Sequence, residues 1–161
     1  MTDRPATVNQ RLPLILWLAV LWAKLVYVGV ALGLDHVGYR PPIAADRSLE
    51  AILALVFAGL TLAATHATRL LAARVLRPIE SLDEAQVSAR IVRAVLLRCV
   101  LFETPAVLGL TYFLLTGRLI AAFVFVGYSL ALDVFSPPTR ARLRAWARRV
   151  HPDTSLFADT P

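Results

Sequence analysis

Four apolar stretches, each close to the length that crosses a bilayer, dominate this chain of 161 residues. A spanning helix needs about 20 mostly apolar residues, with a usual range of roughly 17–25. Residues 12–34, 49–70, 91–115 and 119–135 meet that length. The first is interrupted only by Lys24, the second ends at Arg69, the third carries Arg93, Arg98 and Glu103, and the fourth has Asp133 near its end. Hydrophobic residues make up 58% of the chain, above the roughly 45–50% of a soluble domain. A disordered chain, a collagen-like repeat and an ordinary soluble core are thereby excluded. The expected fold is an all-α membrane protein with four transmembrane helices. The first stretch is too long for a signal-peptide core, holds a lysine and is followed by no A-x-A-like site, so cleavage is not expected.

Arginine placement orients these spans, because short cytoplasmic loops collect basic residues. Arg4 and Arg11 precede span one, Arg69, Arg74, Arg77, Arg90 and Arg93 lie between spans two and three, and Arg140, Arg142, Arg144, Arg148 and Arg149 follow span four. Only Arg40, Arg47 and Arg118 fall on the other side. Both termini are therefore expected in the cytoplasm, with residues 1–11 as an N-terminal tail, 12–135 as the membrane domain and 136–161 as a cytoplasmic segment. The formal net charge of +6 is a topology signal first. No nucleic-acid partner is expected, since the arginines are split among three segments and lack interleaved aromatics. The lone cysteine, Cys99, excludes a disulfide framework and a cysteine-based zinc site.

Turn and cap residues divide the chain further. Pro41-Pro42 breaks the first outer loop, and Pro78 ends span two. Ser81-Leu-Asp-Glu84 fits a capping box opening one helix from about Leu82 to Thr116, whose first turns project from the bilayer. Gly117 is the expected left-handed residue that closes it. Ser136-Pro137-Pro138 ends span four, and Thr139 caps a short helix to Val150. There Leu143, Trp146, Ala147 and Val150 share one face while Arg140, Arg144 and Arg148 lie off it, the pattern of a helix that rests on the membrane surface. The lipid bilayer is thus the expected partner of this segment.

Ionisable groups inside a span are the strongest pointers to function. Lys24 and Glu103 are expected at similar depth near the midplane, so that an ion pair between helices one and three offsets their insertion cost. Arg98 lies 140° round the helix from Glu103 and near the cytoplasmic edge, where Asp133 is its expected partner. His66 on span two is near the same edge. Cys99, Ala106 and Gly109 share the Glu103 stripe, a small-residue face suited to close helix packing. Pro105 interrupts the backbone ladder beside Glu103 and frees the Leu101 carbonyl, which either an ion or water or the Thr104 or Thr111 hydroxyl is placed to satisfy. No P-loop, dinucleotide-binding or H-E-x-x-H motif is present, and the histidines fall in different compartments or depths, so no metal, cofactor or catalytic set is expected.

Helix three, Arg98-Cys-Val-Leu-Phe-Glu103-Thr-Pro105-Ala-Val-Leu-Gly109-Leu-Thr-Tyr-Phe-Leu-Leu-Thr116-Gly117, with Pro138-Thr139-Arg140 after span four, resembles a group of small uncharacterised bacterial four-helix membrane proteins. Those carry an Arg-x-x-Leu-x-Glu run in helix three and a Pro-Thr-basic step after helix four. The resemblance implies the bacterial inner membrane and no particular activity. Glu103-Thr-Pro-Ala-Val-Leu-Gly-Leu is locally similar to the ion-binding helix of rotary ATPase proteolipids, which implies Glu103 as a proton or sodium carboxylate. That likeness is confined to one helix, as spans one and four have no glycine stripe.

Two functions from different classes follow. The first expectation is a non-catalytic accessory or scaffold subunit that packs on other membrane proteins or on itself. It rests on the small-residue face, on the projecting segment from Leu82 to Arg93 and on the absence of catalytic motifs. The alternative is proton or ion translocation through Glu103 with Lys24. A lipid- or quinone-handling role for Arg98 and His66 stands third.

Overall fold

The computed structural model describes residues 12–42, 47–78 and 83–152 of the chain. They form five helices: α1 (Leu12–His36), α2 (Arg47–Val75), α3 (Glu84–Thr116), α4 (Leu119–Val134) and α5 (Arg140–Val150). No strand is present among the described residues. The expected capping serine, Ser81, and Leu82 lie outside the described residues. Asp83 caps α3, its Oδ1 accepting from the Gln86 N–H at 2.7 Å. That satisfies one of the donors a helix start leaves open. Pro105 sits inside α3 without ending it.

Helix α3 is the hub. Each of the other four helices packs on it, and α1 also touches α4, whereas α1 and α2 make no direct contact among the described residues. Burial follows this arrangement. On α3 the buried residues run from Val87 to Thr116, while α1 buries only Pro13, Lys24 and Ala31, and α2 only Phe57, Thr61 and Thr68. The remaining apolar surface of α1 and α2 faces outward, with Trp22 68% and Leu55 75% exposed.

Both of these helices are long and apolar enough to cross a membrane. A core helix of a soluble protein would hide such a face. Here only 11% of the most apolar window of α1 and 17% of that of α2 is buried, which is compatible with a membrane protein. Helix α3 is longer but carries Arg90, Arg93, Arg98 and Glu103. Helix α4 is apolar but has 16 residues, about 24 Å at 1.5 Å per residue.

The α3–α4 contact depends on Gly109. A Cβ there would meet Phe125 Cβ at 2.6 Å and the Ala122 carbonyl at 3.1 Å, so the helices approach along a surface that only glycine allows. The small-residue face of α3 is therefore occupied by the chain's own α4. At the end of α3, Gly117 has φ +73° and its N–H reaches the Phe113 carbonyl at 2.7 Å, as its left-handed role requires. The same glycine admits Pro41, whose Cγ would lie 2.8 Å from an added Cβ. Tyr39 donates to the Leu114 carbonyl at 3.0 Å. Arg118 grips Glu50 through Nε at 2.6 Å and Nη2 at 3.1 Å, a hydrogen-bonded pairing that raises the Arg118 pKa. These contacts close this end of the bundle.

The opposite end differs from expectation. Helix α5 is capped by Thr139, whose hydroxyl accepts from the Arg142 N–H at 3.3 Å. Its apolar face does not lie free for a membrane surface. Leu143, Ala147 and Val150 are buried with Val87, Ile91, Ala94 and Val95 of α3 and Leu76 after α2, and Trp146 packs against them. Burying aliphatic residues against a partner stabilises by roughly 1.5–3 kcal/mol each, and α3 offers that partner within the same chain. One face of the projecting start of α3, Val87 and Ile91, is accordingly covered, while Glu84, Gln86, Ala89 and Arg93 stay exposed, and Arg140 and Arg148 lie on the exposed side of α5.

Gly109→Ala is expected to destabilise the bundle by about 1–3 kcal/mol through overpacking against Phe125 and the Ala122 backbone. Gly59→Ala, where an added Cβ meets nothing within 4 Å, is expected to leave stability unchanged or slightly raised. Thermal unfolding of both variants beside the native chain checks the contrast.

Candidate functional site

Between α1, α3 and α4 lies a charge cluster. Lys24 is 1% exposed, and its ammonium pairs with two carboxylates: Glu103 Oε2 at 3.4 Å and Asp133 Oδ2, to which it donates a direct hydrogen bond. The Lys24–Glu103 pair is thus present within one chain. The expected Arg98–Asp133 pair is not, because Lys24 takes Asp133. Side chains on a helix tilt toward its N-terminus. Trp17, near the start of α1, donates its indole N–H to the Asp133 carbonyl at 3.3 Å, so the end of α4 lies level with the first turns of α1. A lysine stem leaning toward the α1 N-terminus therefore reaches Asp133.

Arg98 is held otherwise. Its guanidinium carbon lies 4.9 Å from the centre of the Phe102 ring and 5.9 Å from that of Trp146, within the range of cation–π attraction. Its Nε is buried without a hydrogen-bond partner among the described residues. His66 is exposed on α2 and makes no hydrogen bond or ion pair among the described residues. The cluster does not include it.

The two carboxylates are not equivalent. Asp133 is 2% exposed and bonded directly to Lys24. Both oxygens of Glu103 are buried and accept no aligned hydrogen bond among the described residues, so its link to Lys24 is an ion contact. Glu103 also borders a laterally open groove of about 310 Å³ between α1 and α3, walled by Leu16, Val20, Leu96 and Val100. Tyr27 lines that groove and interacts electrostatically with Glu103. Beyond Asp133 a void of about 10 Å³ opens between Trp17, Ser136, Pro138 and Trp146, near the minimum of about 10–15 Å³ that holds one water.

Cys99 and Ala106, the other small residues of the Glu103 stripe, are buried at 7% and 0% exposure, so the whole stripe is packed. Ser129 of α4 donates to the Phe102 carbonyl, next to the carbonyl that Pro105 releases. Thr104 and Thr111 bond the Val100 and Val107 carbonyls instead of Leu101. Tyr27, Ser129 and the Lys24–Asp133 bond were not legible in the sequence, since each depends on the rotation and stagger of α4 against α1 and α3. The lean of Lys24 toward the start of α1 was the one available signal.

Comparison with known families, curated proteins and solved structures finds no match. The resemblances of helix three therefore rest on its own residues.

Removing one member of a buried ion pair strands its partner and costs roughly 3–5 kcal/mol. Lys24→Met leaves two carboxylates unopposed and is expected to destabilise by that amount or more. Glu103→Gln leaves the matched Lys24–Asp133 pair and is expected to change stability by less than about 1 kcal/mol. Unfolding midpoints of the two variants in one detergent check the asymmetry.

Proposed function

We propose that this chain is a four-span bacterial inner-membrane protein, with both termini cytoplasmic, that binds and moves a proton through Glu103. The supporting observation is the charge count of the buried cluster. Within the ion-paired set one ammonium faces two carboxylates, while Arg98 borders the void beside Asp133 without an ion pair to either carboxylate among the described residues. An uncompensated charge in an apolar bundle is costly, and one proton removes it. Asp133 is committed to Lys24, so Glu103 is the group that exchanges the proton. Spans one and two are α1 and α2, and α3 and α4 complete the four. The arginine distribution sets the orientation, which puts the Asp133 side of the cluster toward the cytoplasm. The opposite end is closed by Tyr39, Pro41 and the Arg118–Glu50 pair, so transfer requires a rearrangement and is carrier-like instead of pore-like.

An accessory or scaffold role is the second reading. The small-residue face of α3 packs on α4, and Val87 and Ile91 of its projecting segment pack on α5. The exposed residues at the start of α3 and the uncovered outer faces of α1 and α2 are the surfaces open to such a partner, and lipid covers the latter equally well.

Purified protein in liposomes carrying a pH-sensitive dye, with an imposed potassium diffusion potential, tests the proposal. The native chain is expected to admit protons faster than protein-free liposomes. Glu103→Gln is expected to abolish that flux with an unchanged unfolding midpoint. Flux equal to protein-free liposomes, or flux unaffected by Glu103→Gln, overturns it. A stoichiometric non-identical partner co-purifying with a non-conducting chain favours the accessory role.

A further inference from the structure

A second cavity, of about 190 Å³, lies between α2, α3 and the end of α4. It shares Arg98 and Ser136 with the small void beside Asp133, but no carboxylate lines it. Arg69 and Arg98 line it, together with Thr65, Thr68, Phe102 and Ser136. No ion pair joins either arginine to a carboxylate among the described residues, and Arg98 Nε is a buried donor without an acceptor. The Arg142 Nη1 donates to the Pro137 carbonyl at 3.0 Å.

A buried donor left open in a native fold calls for an acceptor, and a guanidinium left open in a positive field calls for an anion. The hydroxyls refine the choice. Thr65 and Thr68 donate to the carbonyls of Thr61 and Ala64, each at 2.9 Å. Ser136 also lines the cavity, and its hydroxyl makes no hydrogen bond among the described residues. Two arginine forks and one hydroxyl donor match the several acceptor oxygens of a phosphate group, which arginine recognises in bidentate fashion. A carboxylate presents only two oxygens, fewer than these donors can serve.

We infer that the Arg69–Arg98–Ser136 cavity is a binding site for a phosphate anion, supplied either by an anionic lipid headgroup or by free phosphate. It stands independently of proton handling at Glu103. On the orientation proposed above it lies at the depth of the cytoplasmic headgroups, where acyl chains of a bound lipid would follow the apolar outer face of α2.

The test is a titration of the delipidated full chain in a neutral maltoside detergent, read by unfolding midpoint and by native mass. Three probes are compared: short-chain phosphatidylglycerol, inorganic phosphate, and a monoacylglycerol of matched chain length that lacks phosphate. Phosphatidylglycerol binding at one per chain, with no effect of the monoacylglycerol, is expected for a headgroup site. Protection by inorganic phosphate alone assigns the same site to free phosphate. Arg69→Gln and Arg98→Gln are each expected to weaken binding about tenfold, and Arg148→Gln, on the exposed side of α5, to leave it unchanged. Arg69 is exposed, so Arg69→Gln keeps the fold even where Arg98→Gln does not. No binding of either phosphate probe, binding that the monoacylglycerol matches, or binding indifferent to Arg69→Gln overturns the inference.

Discussion

The Lys24 ammonium ties α1 to α3 and to α4 through two carboxylates. Its four-carbon stem lets a residue in the middle of α1 reach two carboxylates on two other helices. A lysine is suited to this because its charge is compact and its donors rotate. An arginine at the same place would need planar, paired acceptors. The cost of burying one cation is offset by Asp133. Glu103 then adds a second negative charge without an aligned hydrogen bond, which no purely structural clasp requires. A neutral pair would have tied α1 to α4 as well.

The surrounding helices are arranged so that this cluster has a defined shell. Gly109 lets α4 approach α3 closely, and Ser129 fixes the approach with a bond to the Phe102 carbonyl. Helix α5 returns to cover the exposed start of α3, and its Trp146 packs over Arg98. The result is a bundle closed at the Gly117 end and layered at the other. From the cluster toward the α5 end, a negative carboxylate site is followed by a positive arginine cavity. Arg98 borders both the arginine cavity and the small void beside Asp133, with Phe102 and Trp146 against its guanidinium.

Local features were legible in the sequence because they depend on neighbours along the chain. The lengths of α1 and α2, the Gly117 turn and the Thr139 cap follow from apolar run length and cap chemistry. The Lys24–Glu103 contact was also legible, since two parallel helices of known direction put both charges at one depth. The choice of partner for Asp133 was not. It required knowing that α4 packs beside α1 as well as beside α3, which no local pattern encodes. What covers the apolar face of helix α5 was not legible for a related reason. An amphipathic helix shows that it needs an apolar surface, without showing whether lipid or the chain's own α3 supplies it. At the start of α3, Asp83 accepts from the first turn, while the expected Ser81 lies outside the described residues.

The most direct test of a proton held at Glu103 is infrared spectroscopy of the reconstituted protein in the carboxylic-acid carbonyl region. The native chain is expected to show one protonated carboxyl band that exchanges with deuterated water. It should disappear in Glu103→Gln and persist in Arg98→Gln. Absence of such a band across the pH range in which the protein stays folded, or its survival in Glu103→Gln, would contradict a proton-binding cluster. It would leave Lys24, Glu103 and Asp133 as a fully ionised structural clasp.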